Sequence, residues 1–135
     1  MMKFTKQRIT IIHIRRPERK LNDELQWFGS SLGLFNLRDK DKSCFRVFIE
    51  LLKAAKINKT LTSDEMAYKL NLSRGTVIHH INKLIESGIV VHHHNRYMLR
   101  VNNLQELVEE IKMDAERTFS DLKKVAHEID QLLGL

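Results

Sequence analysis

The sequence predicts a mainly α chain with one small β-hairpin and a long helix at its carboxy-terminal end. Three observations carry this reading. A short helix, a three-residue turn and a longer helix can be traced from Thr62 to Ser87. Two alternating segments follow, IVVHH and RYMLRV, joined through His94-Asn95 as in a tight hairpin. The last 34 residues then keep a three-and-four apolar spacing to the end. A length of 135 residues gives room for one ordinary domain with an extension, and too little for two cores of normal depth. The divisions fall at 1–40, an amino-terminal extension, 41–101, the central domain, and 102–135, the long helix.

In the extension, KQRITIIHI from Lys6 to Ile14 is rich in β-branched residues and reads as a short strand closed by Arg15, Arg16 and Pro17. LNDELQWFGSSLGLF places Leu21, Leu25, Phe28 and Leu32 at helical spacing, with Asn22 or Asp23 as cap. This predicts a helix of two or three turns that frays after Gly29. Trp27 and Phe28 are read as packing residues. NLRDKDKS at 36–43 is a polar turn from which Asp41 or Ser43 caps the next helix. In CFRVFIELLKAAKINK that helix turns Phe45, Phe48, Ile49, Leu52 and Ala55 to one face and Lys42, Arg46, Lys53, Lys56 and Lys59 to the others. Thr60-Leu61 can add an edge to a small sheet.

The central segment opens on Thr62-Ser63, a capping pair, with Asp64 and Glu65 in the first turn where the helix dipole favours acids. Asn71 tolerates the left-handed backbone of a helix exit, Leu72 re-enters the core and Ser73 caps a second helix from Arg74 to about Ser87, which Gly88 ends. Helix, turn, helix and hairpin in this order make a winged helix-turn-helix. The stretch LTSDEMAYKLNLSRGTVIHHINKLIESGIVVHHHNRYMLR resembles the DNA-binding core of the ArsR-like winged-helix regulators, above all in Ala67, Leu70, Leu72-Ser73, Thr76-Val77, His79-His80, Leu84 and Gly88-Ile89-Val90. The resemblance covers about the middle third of the chain and implies DNA binding without naming a signal. With its amino-terminal extension the chain looks most like archaeal members of that broad group.

On the second helix Val77, Ile81, Leu84 and Gly88 form the core stripe, and Gly75, Thr76, His79, Lys83 and Glu86 lie opposite, flanked by Arg74 and His80. Donors with small residues near the helix start suit entry into a major groove. Arg74 can reach guanine or phosphate, Thr76 a thymine methyl or phosphate, and Lys83 a phosphate. Thr62, Ser63 and Ser73 mark helix starts whose amides can take phosphate oxygens. His94, Asn95 and Arg96 form the tip of the wing. Residues 1–40 and 41–101 each carry five more basic than acidic side chains, whereas residues 102–135 carry four more acidic than basic ones. A polyanion therefore meets the amino-terminal three quarters first.

The histidines do not assemble a metal site. His79 and His80 are adjacent and point apart on a helix, and His92 and His94 lack a third ligand. Ligand pairs of ArsR-like metal sensors lie on flanking helices, where this chain offers only Asp121 and His127. Neither a cofactor nor a small-molecule substrate is indicated. Phosphate loops, HExxH and nucleophile motifs are missing, so the chain does not read as an enzyme. One cysteine, Cys44, agrees with a reducing compartment, and the first fifteen residues lack the pattern of a signal peptide. No apolar run is long enough for a bilayer, and a cytoplasmic location is expected.

The last helix carries Leu104, Val108, Ile111, Ala115, Thr118, Leu122, Val125, Ile129 and Leu132 on one stripe. At ~1.5 Å per residue, ~30 residues span ~45 Å, longer than the domain they leave. The stripe is therefore expected to form a homodimer seam. Sequence-specific recognition of double-stranded DNA by a dimeric transcriptional regulator is the function these features predict. A winged-helix protein-interaction module and a binder of structured RNA are the alternatives.

Overall fold

The structure is a computed structural model, and it describes residues 6–16, 20–35 and 42–135. Five helices and three strands follow in order: α1 (Leu21–Ser31), α2 (Ser43–Lys56), β1 (Leu61–Thr62), α3 (Ser63–Leu70), α4 (Arg74–Glu86), β2 (Val90–His93), β3 (Arg96–Leu99) and α5 (Leu104–Leu133). The strands form one antiparallel sheet in the order β1-β3-β2. Leu61 stands opposite Tyr97, and His93 opposite Arg96. This is the mainly α winged helix-turn-helix architecture with a long final helix that the sequence predicts.

A single core sits where α2, α3, α4, the sheet and the first turns of α5 meet. Val77, Ile81 and Leu84 of α4 are fully buried against Val47, Phe48 and Leu51 of α2. Each such side chain contributes ~1.5 to 3 kcal/mol by leaving water. Local chemistry sets the helix ends. Thr62 closes a capping box on α3: its hydroxyl accepts from the Glu65 amide at 3.0 Å, and the Glu65 carboxylate accepts from the Thr62 amide at 3.4 Å. Asn71 ends α3 in the left-handed region, φ 55°, and Ser73 caps α4 by accepting from the Thr76 amide at 3.1 Å.

Several expectations are corrected. Residues 6–14 form no strand. They run without a ladder partner and are held by single bonds, Arg8 N–H to the Glu86 carbonyl at 2.9 Å and Ile12 N–H to the Ser31 carbonyl at 2.7 Å. Pro17, expected to close that strand, lies outside the described residues. Helix α1 begins one residue before its expected caps, at Leu21, with Lys20 flanking it and no side-chain cap. It runs three turns and ends at Ser31, two residues past Gly29. A Cβ at Gly29 would stand 1.9 Å from the Phe35 ring, so the missing side chain lets Phe35 fold back over the helix. Phe35 in turn meets Phe45 edge-on at 5.2 Å, and Phe28 stacks on Phe48 at 6.4 Å. The Trp27 indole donates to the Ile14 carbonyl at 3.0 Å.

Helix α2 is preceded by Lys42 at φ 57° with no side-chain cap; Ser43 is its first residue, and Asp41 lies outside the described residues. Its buried stripe runs through Cys44, Val47, Phe48, Leu51, Ala54 and Ala55. Phe45, Ile49 and Leu52, expected in the core, are half-buried at its edge. On α5, Leu107 and Ile111 are buried in the chain's own core and Leu104 packs against it. Ile111 is thereby removed from the expected dimer seam, because it has an internal partner, while Leu104 is half-buried.

Candidate nucleic-acid interface

The start of α4 is the exposed feature that the fold builds most deliberately. The core stripe fixes the helix's rotation, and the Ser73 cap fixes where it begins. Ser73 and Thr76 hydroxyls lie 2.8 Å apart. Arg74, Gly75 and His79 are exposed, and no atom lies within 4 Å of where a Gly75 Cβ would be. That bare backbone permits a close approach by a phosphate or base edge. Arg74 reaches Asp64 across the turn at 3.6 Å. Both side chains are largely exposed, so the pair is weak and a phosphate can compete for it.

Other expected contacts sit differently. Thr62 faces solvent in part but its hydroxyl is committed to the capping box. Ser63 is fully buried, and its hydroxyl donates to the Asn95 side-chain oxygen Oδ1 at 3.1 Å. This corrects the assignment of Ser63 to DNA: the residue fastens the wing tip to the start of α3. Asn95 remains exposed, as do His92, His93, His94 and Arg96. His94 turns the hairpin at φ 55°, and Arg96 donates to the Thr60 hydroxyl at 3.2 Å. The His93 and His94 rings meet edge-on at 4.3 Å. Among the described residues no three His, Cys, Asp or Glu side chains are grouped to hold a metal ion.

His80 and Lys83 are half-buried, while Asn82 is exposed. Asn82 was missed by the sequence reading although a projection could have found it. At 100° per residue it lies about 140° round from Val77, whereas Lys83 lies about 120° round. An asparagine on this face can pair with an adenine edge, which adds a second candidate base reader beside Arg74.

The far end of α4 is closed by the amino-terminal segment. Arg8 approaches the Glu86 carboxylate at 3.4 Å, so the one acid on the outer face of α4 is compensated. Gln7 donates to the Ser87 carbonyl at 3.2 Å and to Asp114 at 2.9 Å. Gly88 has φ +80°, and a Cβ on it would stand 2.2 Å from the Gln7 amide nitrogen. Asp114 also receives Arg100, just beyond the wing, and Arg117 at 2.8 Å. Burial pushes the Asp114 carboxyl up, but hydrogen bonds from Arg100 and Gln7, with the charges of Arg100 and Arg117, outweigh it. The group is held below the ordinary carboxylate range. The Arg100 guanidinium is raised by its bond to Asp114 against the effect of burial.

Among the described residues no helix is long and apolar enough to cross a membrane. No curated protein and no solved structure matches the chain. A family model described as winged helix-turn-helix DNA-binding matches residues 49–91, from within α2 through α3 and α4 into β2. Geometry and match agree: this chain carries a winged helix-turn-helix DNA-binding domain, which supports a DNA-binding regulator.

Proposed function

We propose that the protein is a sequence-specific transcriptional regulator of the ArsR-like kind, which binds double-stranded DNA as a homodimer. The observation that carries this is the start of α4, with Ser73, Arg74, Gly75, Thr76, His79 and Asn82 around a capped and unobstructed helix end. Such an end fits a major groove: the first-turn amides and Thr76 meet phosphate while Arg74 and Asn82 reach base edges. His94, Asn95 and Arg96 on the wing, with Lys83 and His80 on the flanks of α4, add backbone contacts. Cys44 is the one cysteine of the sequence, buried with its thiol donating to the Leu34 carbonyl at 3.2 Å, which fits a reducing cytoplasm.

Support for the homodimer comes from the outer half of α5. From Glu116 onward every residue is exposed, yet Phe119, Leu122, Val125, Ile129 and Leu132 keep one apolar stripe. Phe119 is 69% and Leu132 87% exposed, an arrangement a lone subunit leaves in water. Val108 and Ala115 flank the stripe nearer the core. The division of labour is thus an anchoring extension (1–40), a reading domain (41–101) and a pairing helix (102–135).

The test is a binding titration at fixed salt on a duplex selected from a random pool, with random duplex, single-stranded DNA and structured RNA as competitors. Selected duplex should win by at least 10³-fold over random duplex, the low end of specific recognition. Equal competition by RNA, or no duplex binding by folded protein, sinks the proposal; the second result points to a protein partner instead.

A further inference from the structure

We infer that two copies pair antiparallel through the outer half of α5, so that the leucine-bearing end of each helix seats in a groove on the other subunit. This rests on the dimer reading above. The groove, about 330 Å³, lies between the amino-terminal segment and α5 and is lined chiefly by Ile9, Ile11, Thr118, Phe119 and Leu122. It is continuous with the exposed stripe, because Phe119 and Leu122 belong to both.

Three observations select the antiparallel arrangement. With Ala126 counted in it, the stripe has the same spacing read from either end: Phe119 corresponds to Leu132, Leu122 to Ile129, and Val125 to Ala126. A two-fold axis between residues 125 and 126 therefore sets every apolar layer against another. It also brings Leu132 and Leu133 of one copy onto Phe119 and Thr118 of the other, beside Ile9 and Ile11. A parallel pair would set groove against groove and leave both unfilled. Charge agrees with this. Residues 125–135 carry Glu128 and Asp130 with no Lys or Arg, while residues 6–16 carry Lys6, Arg8, Arg15 and Arg16, all of them exposed, with Arg8 engaged by Glu86 and Arg16 sharing a pocket with Glu24. Along the helix edges the effects cancel: Lys123 comes near Asp130 of the other copy on one edge, Asp121 near Glu128 on the other. The apolar layers and the basic segment decide.

One consequence is that the partner's helix touches the segment that holds the end of α4. Gln7 lines the groove and bonds to Ser87 and Asp114, so filling the groove presses on the clamp behind the recognition helix.

The experiment is disulfide trapping in the full chain, with buried Cys44 left in place. Ile11→Cys and Leu132→Cys variants are prepared separately, mixed, allowed to exchange and oxidised. The mixture should give a disulfide-linked dimer, and Leu132→Cys alone should not, because its two sulfurs lie ~20 Å apart along the antiparallel pair. Self-linking of Leu132→Cys as readily as in the mixture would establish a parallel pair and overturn the inference. Sedimentation of the unoxidised variants separates the two failures. A dimer that gives no mixed disulfide overturns the antiparallel arrangement alone, and a monomer at all concentrations overturns the dimer reading with it.

Discussion

Asp114 binds two parts of the chain that are distant from it in sequence, Gln7 from the amino-terminal segment and Arg100 from the end of the wing, together with Arg117 one turn along its own helix. Its side chain is 6% exposed, so loss of the carboxylate takes two hydrogen bonds from the buried Arg100 guanidinium, which keeps Glu110 at 2.9 Å. Asp114→Ala should cost ~3 kcal/mol in a denaturant melt. Because the folded-state pKa is depressed, the stabilisation is complete above the ordinary carboxylate value of ~3.9 and is lost as pH falls through the lower folded value. Stability measured from pH 7 to pH 2 should therefore drop at the acid end, and Asp114→Asn should flatten that limb. On the reading face, Arg74→Ala and Asn82→Ala should each narrow the gap between selected and random duplex by ~1 to 3 kcal/mol. Lys83→Ala should weaken both alike and lower the salt slope by about one unit. Titrations at several salt concentrations distinguish the two patterns, and a common pattern for all three variants would undo the assignment of base readers.

At the scale of elements, Gly88 is where backbone and packing demands coincide. Gly88→Ala meets a left-handed φ, at ~1 to 2 kcal/mol, and also collides with Gln7. Adding Gln7→Ala should recover only the collision, leaving a deficit of ~1 kcal/mol in thermal or denaturant melts; full recovery would show that the φ costs nothing. The helix-turn-helix was legible in the sequence because each boundary had its own chemical signal: Thr62 with Glu65, Asn71, Ser73 and Gly88. The wing was legible from alternation and a turn. The face of α2 was not, because its sequence holds two overlapping apolar stripes, and contact with α4 and β3 selected Val47, Leu51 and Ala54 over Phe45, Ile49 and Leu52. The strand expected at residues 6–14 failed for a related reason. Its β-branched residues suit an extended backbone, but no sheet edge lies beside them, so the segment is extended without a ladder. Ser63 and Leu107 were misplaced or missed because only tertiary contact tells a capping serine from a buried clasp, or an inward leucine from its neighbour Val108.

For the whole molecule, the charge division and the form of α5 act together. The net basic charge lies in residues 1–101 and the net acidic charge in residues 102–135, so raising salt should weaken duplex binding with a log–log slope near −0.9 per phosphate neutralised. Placing Glu at Leu122 and Ile129 puts charge in the exposed stripe and should yield a folded monomer by sedimentation, since neither side chain contributes to the internal core. Its melting temperature should lose the concentration dependence that a dimer shows. A persistent dimer in this variant would exclude the outer half of α5 from the interface. The free part of that helix is also a lever. From Asp114 to Leu133 it runs ~28 Å, with the amino-terminal segment beside it as far as Leu122, so a tilt of ~10° at the Asp114 pivot moves its tip by ~5 Å. In the proposed dimer, two reading heads joined through such arms inherit that play. The tolerance of the protein for the distance between operator half-sites is then set by the stiffness of one carboxylate cluster, far from any base.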